Sequence, residues 1–104
     1  MNRYELELYI AGRTPASRRA VANLRRLCES EFPDACRLAV IDILERPSVA
    51  EEKKILATPT LIRSYPPPAR RIIGDMSDKD KVLFHLDMSP CPITGKENPN
   101  DANF

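Results

Sequence analysis

From Tyr4 to Ile10 the chain alternates, with Tyr4, Leu6, Leu8 and Ile10 on one side and Glu5, Glu7 and Tyr9 on the other. A period of two predicts a β-strand with one dry face and one wetter face. Gly12 punctuates its end, and Thr14-Pro15 reads as a helix N-cap followed by proline at the first helical position. The period then changes. Val21, Leu24, Cys28 and Phe32 recur at helical spacing, Ala20 and Leu27 widen the stripe, and Arg18, Arg19, Arg25 and Arg26 fall mostly outside it. This predicts a helix of about four turns that stops near Pro33.

Cys36 to Leu44 reads as a second strand. Its nearly unbroken apolar run from Leu38 to Ile43 suits a strand buried on both faces of a sheet. The order strand, helix, strand predicts a right-handed crossover with parallel pairing. Pro47 opens a short helical segment, Ser48 to Lys54. A third strand follows at Thr60 to Ile62 and a fourth at Ala69 to Ile73, separated by Tyr65 and a run of prolines. Ser77, Asp78 and Asp80 are placed to cap a last helix, with Asp80 in the slot where a capping box carries Glu or Gln. Val82, Leu83 and Leu86 give that helix its apolar side. From Ser89 the text SPCPITGKENPNDANF has few large apolar residues and no period. The expectation is a folded domain over residues 1–88, of order β-α-β-α-β-β-α, and a flexible polar tail over 89–104.

At 104 residues the chain can bury a single modest core. Charged residues make up 30% of it, yet the formal net charge is only +1, so recognition must come from local clusters. Neither nucleic acid nor membrane is expected as a partner. No apolar run approaches the roughly 18 residues of a spanning helix. MNRYELELYI also lacks the basic start and apolar core of a signal peptide, so the cytoplasm is the expected location.

The cysteines, Cys28, Cys36 and Cys91, are odd in number and include no Cys-x-x-Cys pair. That argues against a disulfide framework or a redox motif. Cys28 falls on an apolar helix face and Cys36 begins a strand, so both read as buried structural thiols. Cys91, in the tail, reads as exposed. His85 has no second histidine at metal spacing, and Asp87 with Cys91 is not a recognised ligand set. No metal or other cofactor is expected. Arg70-Arg71 begin a strand, so their side chains should point to opposite faces. Arg63 is on the neighbouring strand, Lys54 ends the short helix and Arg19 lies on the first. On composition alone these are solvated charges balanced by Glu51, Glu52 and Asp75.

Two sets of motifs change that reading. Ile55-Leu56-Ala57-Thr58-Pro59-Thr60-Leu61 resembles the turn before the third strand of a thioredoxin fold, in which the proline, here Pro59, is cis. The element order is also that of a thioredoxin-like three-layer α/β domain. The loop from Ala11 to Ser17, where thioredoxins carry their nucleophile, has no thiol, which argues against thioredoxin-type catalysis. AEEKKILATPTL and PPPARRIIGDMSDKDKVL, with LYIAGRTP and VIDILERP before them, resemble the KaiB family in one register from about Tyr4 to Asp87.

The resemblance implies a protein that works by binding, without catalysis. It implies docking on a KaiC-type RecA-like ATPase, whose autophosphorylation is gated in the complex. Lys54, Arg63, Arg70, Arg71 and Arg19 match positions in or near the basic partner surface. The family also resembles the sensor domain of a histidine kinase, which makes an adaptor in a kinase or stress pathway the alternative function. Family members switch between a thioredoxin-like monomer and a resting tetramer with a different C-terminal half, so self-association as a dimer or tetramer is a further expectation. The chain departs from the family at His85-Leu86-Asp87-Met88, where Gly-Leu-Asp-Leu is usual. Asp87 is kept, His85 replaces glycine, and Pro90 stands where a tyrosine is expected. These changes favour the thioredoxin-like form, because His suits a helix better than Gly by several tenths of a kcal/mol. They also point to a role in stress adaptation or simple timing outside a true oscillator.

Overall fold

Alternation at the N-terminus builds the strand on which everything else is laid. In a computed structural model, which describes residues 4–74 and 76–89, β1 (Tyr4–Ile10) is followed by α1 (Pro15–Glu31), β2 (Cys36–Asp42), α2 (Pro47–Glu52), β3 (Thr60–Tyr65), β4 (Arg70–Ile73) and α3 (Lys79–His85). The sheet order is β2-β1-β3-β4. β1 runs parallel to β2, from Tyr4 opposite Cys36 to Ile10 opposite Asp42, and antiparallel to β3. β3 and β4 pair antiparallel, with Ile62 opposite Arg71 and Arg63 opposite Arg70.

The two faces of the sheet carry unequal cores. Tyr4, Leu6, Leu8 and Ile10 pack with Ala20, Leu24 and Leu27 of α1, Leu61 of β3, and Val82 and Leu86 from the α3 end. Phe32 is buried among them and meets Tyr4 edge-on, with ring centroids 5.2 Å apart. On the opposite face the buried cluster is Tyr9, Ile55 and Ile62, flanked by Ile41, Ile43, Val49 and Ala50. Alternation along β1 therefore sorts residues between a thick layer under α1 and α3 and a thin one under α2.

Helix starts follow the sequence. Thr14 Oγ1 accepts the Ser17 N–H at 3.1 Å, and Pro15 opens α1 where a missing N–H costs nothing. At α3 the cap is Asp78, whose Oδ1 accepts the Lys81 N–H at 3.1 Å. Asp80 thus sits one position earlier than a capping box requires. It lies in the first turn, where a carboxylate complements the helix dipole.

Two strands differ from expectation. β2 is an edge strand, not one buried on both faces. Leu38 leans on the thick core and Ile41 on the thin one, but Ala39 is exposed and Val40 is 37% exposed. An apolar run does not distinguish a central strand from an edge strand that feeds two half-covered layers. β2 also stops at Asp42 instead of Leu44. The Asp42 carboxylate accepts N–H groups from Gly12 at 3.1 Å and Leu44 at 2.9 Å, which turns the chain out of the sheet. Gly12, at φ 75°, supplies the left-handed conformation that this approach needs. β3, expected to end at Ile62, continues to Tyr65, and Ser64 Oγ donates to the Glu5 carbonyl at 3.2 Å.

Candidate partner-binding surface

The thin layer carries the surface that the basic residues define. Pro47 starts α2, and its last turn closes through Lys53 N–H to Val49 O at 2.9 Å and Lys54 N–H to Glu51 O at 3.2 Å. Lys54 then takes φ 55°, a left-handed conformation usually left to Gly or Asn at this point. That turn swings the chain back so that Ile55 N–H meets Ala50 O at 2.8 Å and Ile55 enters the core. Leu56, next in line, is 94% exposed. Pro47, Ser48, Ala50, Glu51, Lys54, Ile55 and Leu56 line a shallow groove of about 560 Å³.

Arg71 completes this surface. Its register opposite Ile62 places it on the α2 face, and its guanidinium donates to the carbonyls of Lys54 at 3.1 Å and Lys53 at 2.9 Å. A cation on the last carbonyls of a helix is stabilising there. Lys53 Nζ lies 3.9 Å from Glu7 Oε1. The result is an exposed apolar side chain at the end of α2, where backbone carbonyls hold the Arg71 guanidinium.

The remaining residues expected at the site are dispersed. Arg70 is exposed but pairs opposite Arg63, on the face that α1 and α3 cover. Arg19 is exposed on α1, in the other layer. Arg63 is not a surface residue: it is 3% exposed. Its Nε donates to Leu86 O at 2.6 Å, Nη1 to Pro66 O, and Nη2 to Pro68 O at 3.2 Å. The guanidinium is consumed in tying the proline turn and the end of α3 to β3, so in this fold it cannot meet a partner.

Thr58–Pro59 is cis, as are Tyr65–Pro66 and Pro67–Pro68. His85 is the last residue of α3 and is exposed, edge-on to Phe84. Asp87, just past α3, has φ 54°. Pro90, Cys91 and the rest of the tail from Pro90 lie outside the described residues. In the Ala11–Ser17 loop Ser17 is buried and its hydroxyl accepts from Thr14 Oγ1 at 3.0 Å, so it belongs to the helix cap. Among the described residues no group of three or more His, Cys, Asp or Glu is placed to hold a metal ion. Among the described residues no helix is long and apolar enough to cross a membrane.

Tyr9, beneath this surface, makes the layer sensitive to alkali. It is 2% exposed and its hydroxyl donates to Glu7 Oε1 at 2.6 Å. Burial, and after it the hydrogen bond and charge of Glu7, push the phenol above its usual range. The native state then holds a proton that the unfolded chain releases above about pH 10, so stability falls as pH rises past that value. Tyr9→Phe is expected to remove this part of the alkaline loss in denaturant titrations at stepped pH. Coincident profiles for the two proteins would contradict it.

Comparison with solved structures shows the same architecture. The N-terminal domain of SasA from Synechococcus elongatus superposes with a TM-score of 0.66 at 23% identity, over 84% of this chain and 86% of that one. Mitochondrial thioredoxin 3 from Saccharomyces cerevisiae gives 0.66 at 18% identity, over 84% and 79%. The fold is thioredoxin-like. Residues 7–88 match the KaiB domain. Among curated relatives, the circadian clock oscillator protein KaiB of Prochlorococcus marinus strain MIT 9312 is 53% identical over 94% of this chain and 93% of its own length. The protein of the same name from strain NATL2A is 59% identical over 82% and 79%. The circadian clock protein KaiB3 of Synechocystis is 51% identical over 86% and 88%. With a family domain spanning most of its length and relatives above half identity, the chain belongs to the KaiB family of circadian clock proteins.

Proposed function

We propose that the protein is a non-enzymatic regulator that docks through its α2 face on a KaiC-type RecA-like ATPase in the cytoplasm and modulates that partner's phosphorylation cycle. The observation that carries this reading is the Arg71 guanidinium held on the Lys54 carbonyl, two residues before the 94% exposed Leu56. An exposed leucine near a fixed guanidinium suits a partner surface with an apolar centre and carboxylates around it. The absence of a thiol from the Ala11–Ser17 loop fits a binding role. The names of the relatives supply the clock context.

The test is direct binding of the purified full chain to a KaiC-type ATPase, by sedimentation or surface-immobilised titration, in ATP and in ADP. Saturable complex formation, with altered autophosphorylation of the ATPase, is the expected result. No complex in either nucleotide would overturn the reading. Binding to a histidine kinase in its place would establish the adaptor alternative.

A further inference from the structure

The end of α1 away from the Ala11–Ser17 loop holds a second chemical feature. Cys28, in the last turns of α1, and Cys36, the first residue of β2, have Sγ atoms 2.7 Å apart. Regular backbone on both sides fixes this meeting. Phe32 N–H returns to Cys28 O at 3.0 Å, Ala35 N–H to Phe32 O at 3.0 Å, and Asp34 between them takes φ 61°. Cys36 is then held opposite Tyr4 by strand pairing, and Tyr4 N–H bonds to Ala35 O at 2.8 Å. The buried Phe32 ring anchors the turn from beneath. Both cysteines are free thiols and half-buried, not sealed in the core as structural thiols would be.

We propose that Cys28 and Cys36 form a reversible dithiol–disulfide site in the native fold, oxidised by a low-molecular-weight disulfide of the glutathione type. The two sulfurs are unequal. The hydrogen bond with Cys36 draws the Cys28 thiol below its ordinary range, against the opposing effects of burial and Glu29. The same contact, with burial, holds the Cys36 proton more tightly than usual. Cys28 is therefore the attacking thiolate. It displaces one thiolate from the small disulfide and becomes a mixed disulfide. Cys36 then loses its proton to water or to the released thiolate and attacks the Cys28 sulfur, expelling the second thiolate. The protein dithiol and one small disulfide become a protein disulfide and two small thiols, so atoms and electrons balance. The product staples the end of α1 to the start of the edge strand. It is a modification of this protein and turns over no external substrate.

The full chain carrying Cys91→Ser leaves only this pair to react. It is incubated under native conditions with oxidised glutathione, quenched by alkylation and analysed by intact mass and peptide mapping. The expected product has lost two hydrogens and both free thiols, yields a Cys28–Cys36 linked peptide, and reverts with reduced glutathione. Stable glutathione adducts on both cysteines, retention of both thiols, or a link between two chains would each overturn the proposal. No variant at either position is needed for that result. With Cys36→Ser the reaction should halt at a mixed disulfide on Cys28. Trapping of the transient glutathione adduct on Cys36 instead of Cys28 in the Cys91→Ser chain would remove Cys28 as the attacking group.

Discussion

Arg63→Met is expected to destabilise the fold by about 2–3 kcal/mol, seen as a lower midpoint in chemical denaturation and a fall in Tm of roughly 10 °C or more. Methionine keeps the length and much of the volume of the arginine stem, so cavity formation is a minor contribution. It also relieves the cost of holding a guanidinium out of water, which lowers the net loss. What remains is the loss of partners for the carbonyls of Leu86, Pro66 and Pro68. The Leu86 bond is fully buried and has no ready substitute, whereas the proline carbonyls lie nearer the surface and can turn to water. Arg63→Lys should fall between wild type and methionine, since one ammonium cannot match the planar fork that serves separate carbonyls. A change below about 0.5 kcal/mol for methionine would show that solvent replaces the guanidinium without cost.

Reversing charge at Lys54 and Arg71 together, as Lys54→Glu with Arg71→Glu, is expected to weaken binding to the ATPase partner by about 2–5 kcal/mol, roughly 30-fold or more in Kd. Lys54 lines the α2 groove, and Arg71 is positioned by the carbonyls at the end of α2 before any partner arrives. Such preorganisation reduces the ordering cost of binding. The stability cost should stay near 1 kcal/mol, because both residues are exposed. Arg19→Glu and Arg70→Glu, in the other layer, provide the matched control with the same charge change. If the control pair lowers affinity as much as the α2 pair, long-range charge governs association. If only the control pair does so, the interface lies on the α1–α3 side.

Much of the fold was legible because period and punctuation agreed. Tyr4 to Ile10 could only alternate, and Thr14-Pro15 could only open a helix. The errors came where one pattern serves two structures. Leu38 to Ile43 is apolar both for a central strand and for an edge strand that feeds two cores. Arg63 was assigned to the surface by its charge, yet the period of two was available: Leu61 points into the thick core, and two residues on Arg63 must follow it. Opposite orientations for Arg70 and Arg71 followed from the same rule, and they split the basic set that the family resemblance had grouped. The Cys28–Cys36 contact had no local signal. It depends on the length of the α1–β2 turn and on the strand register, both of which are tertiary facts.

The unequal cores have an evolutionary consequence. Mutation along the buried stripe of α1, at Ala20, Leu24 or Leu27, strikes the layer in which most of the burial is concentrated. Mutation on α2 strikes a helix with no fully buried residue, resting on the small cluster around Tyr9, Ile55 and Ile62. Exposed positions of that kind usually shift stability by less than about 0.5 kcal/mol. Sequence drift can therefore rewrite the outward residues of α2, from Ser48 to Glu52, while leaving the scaffold foldable. Lineages that carry this domain are free to retarget it to new partners by changing one short helix.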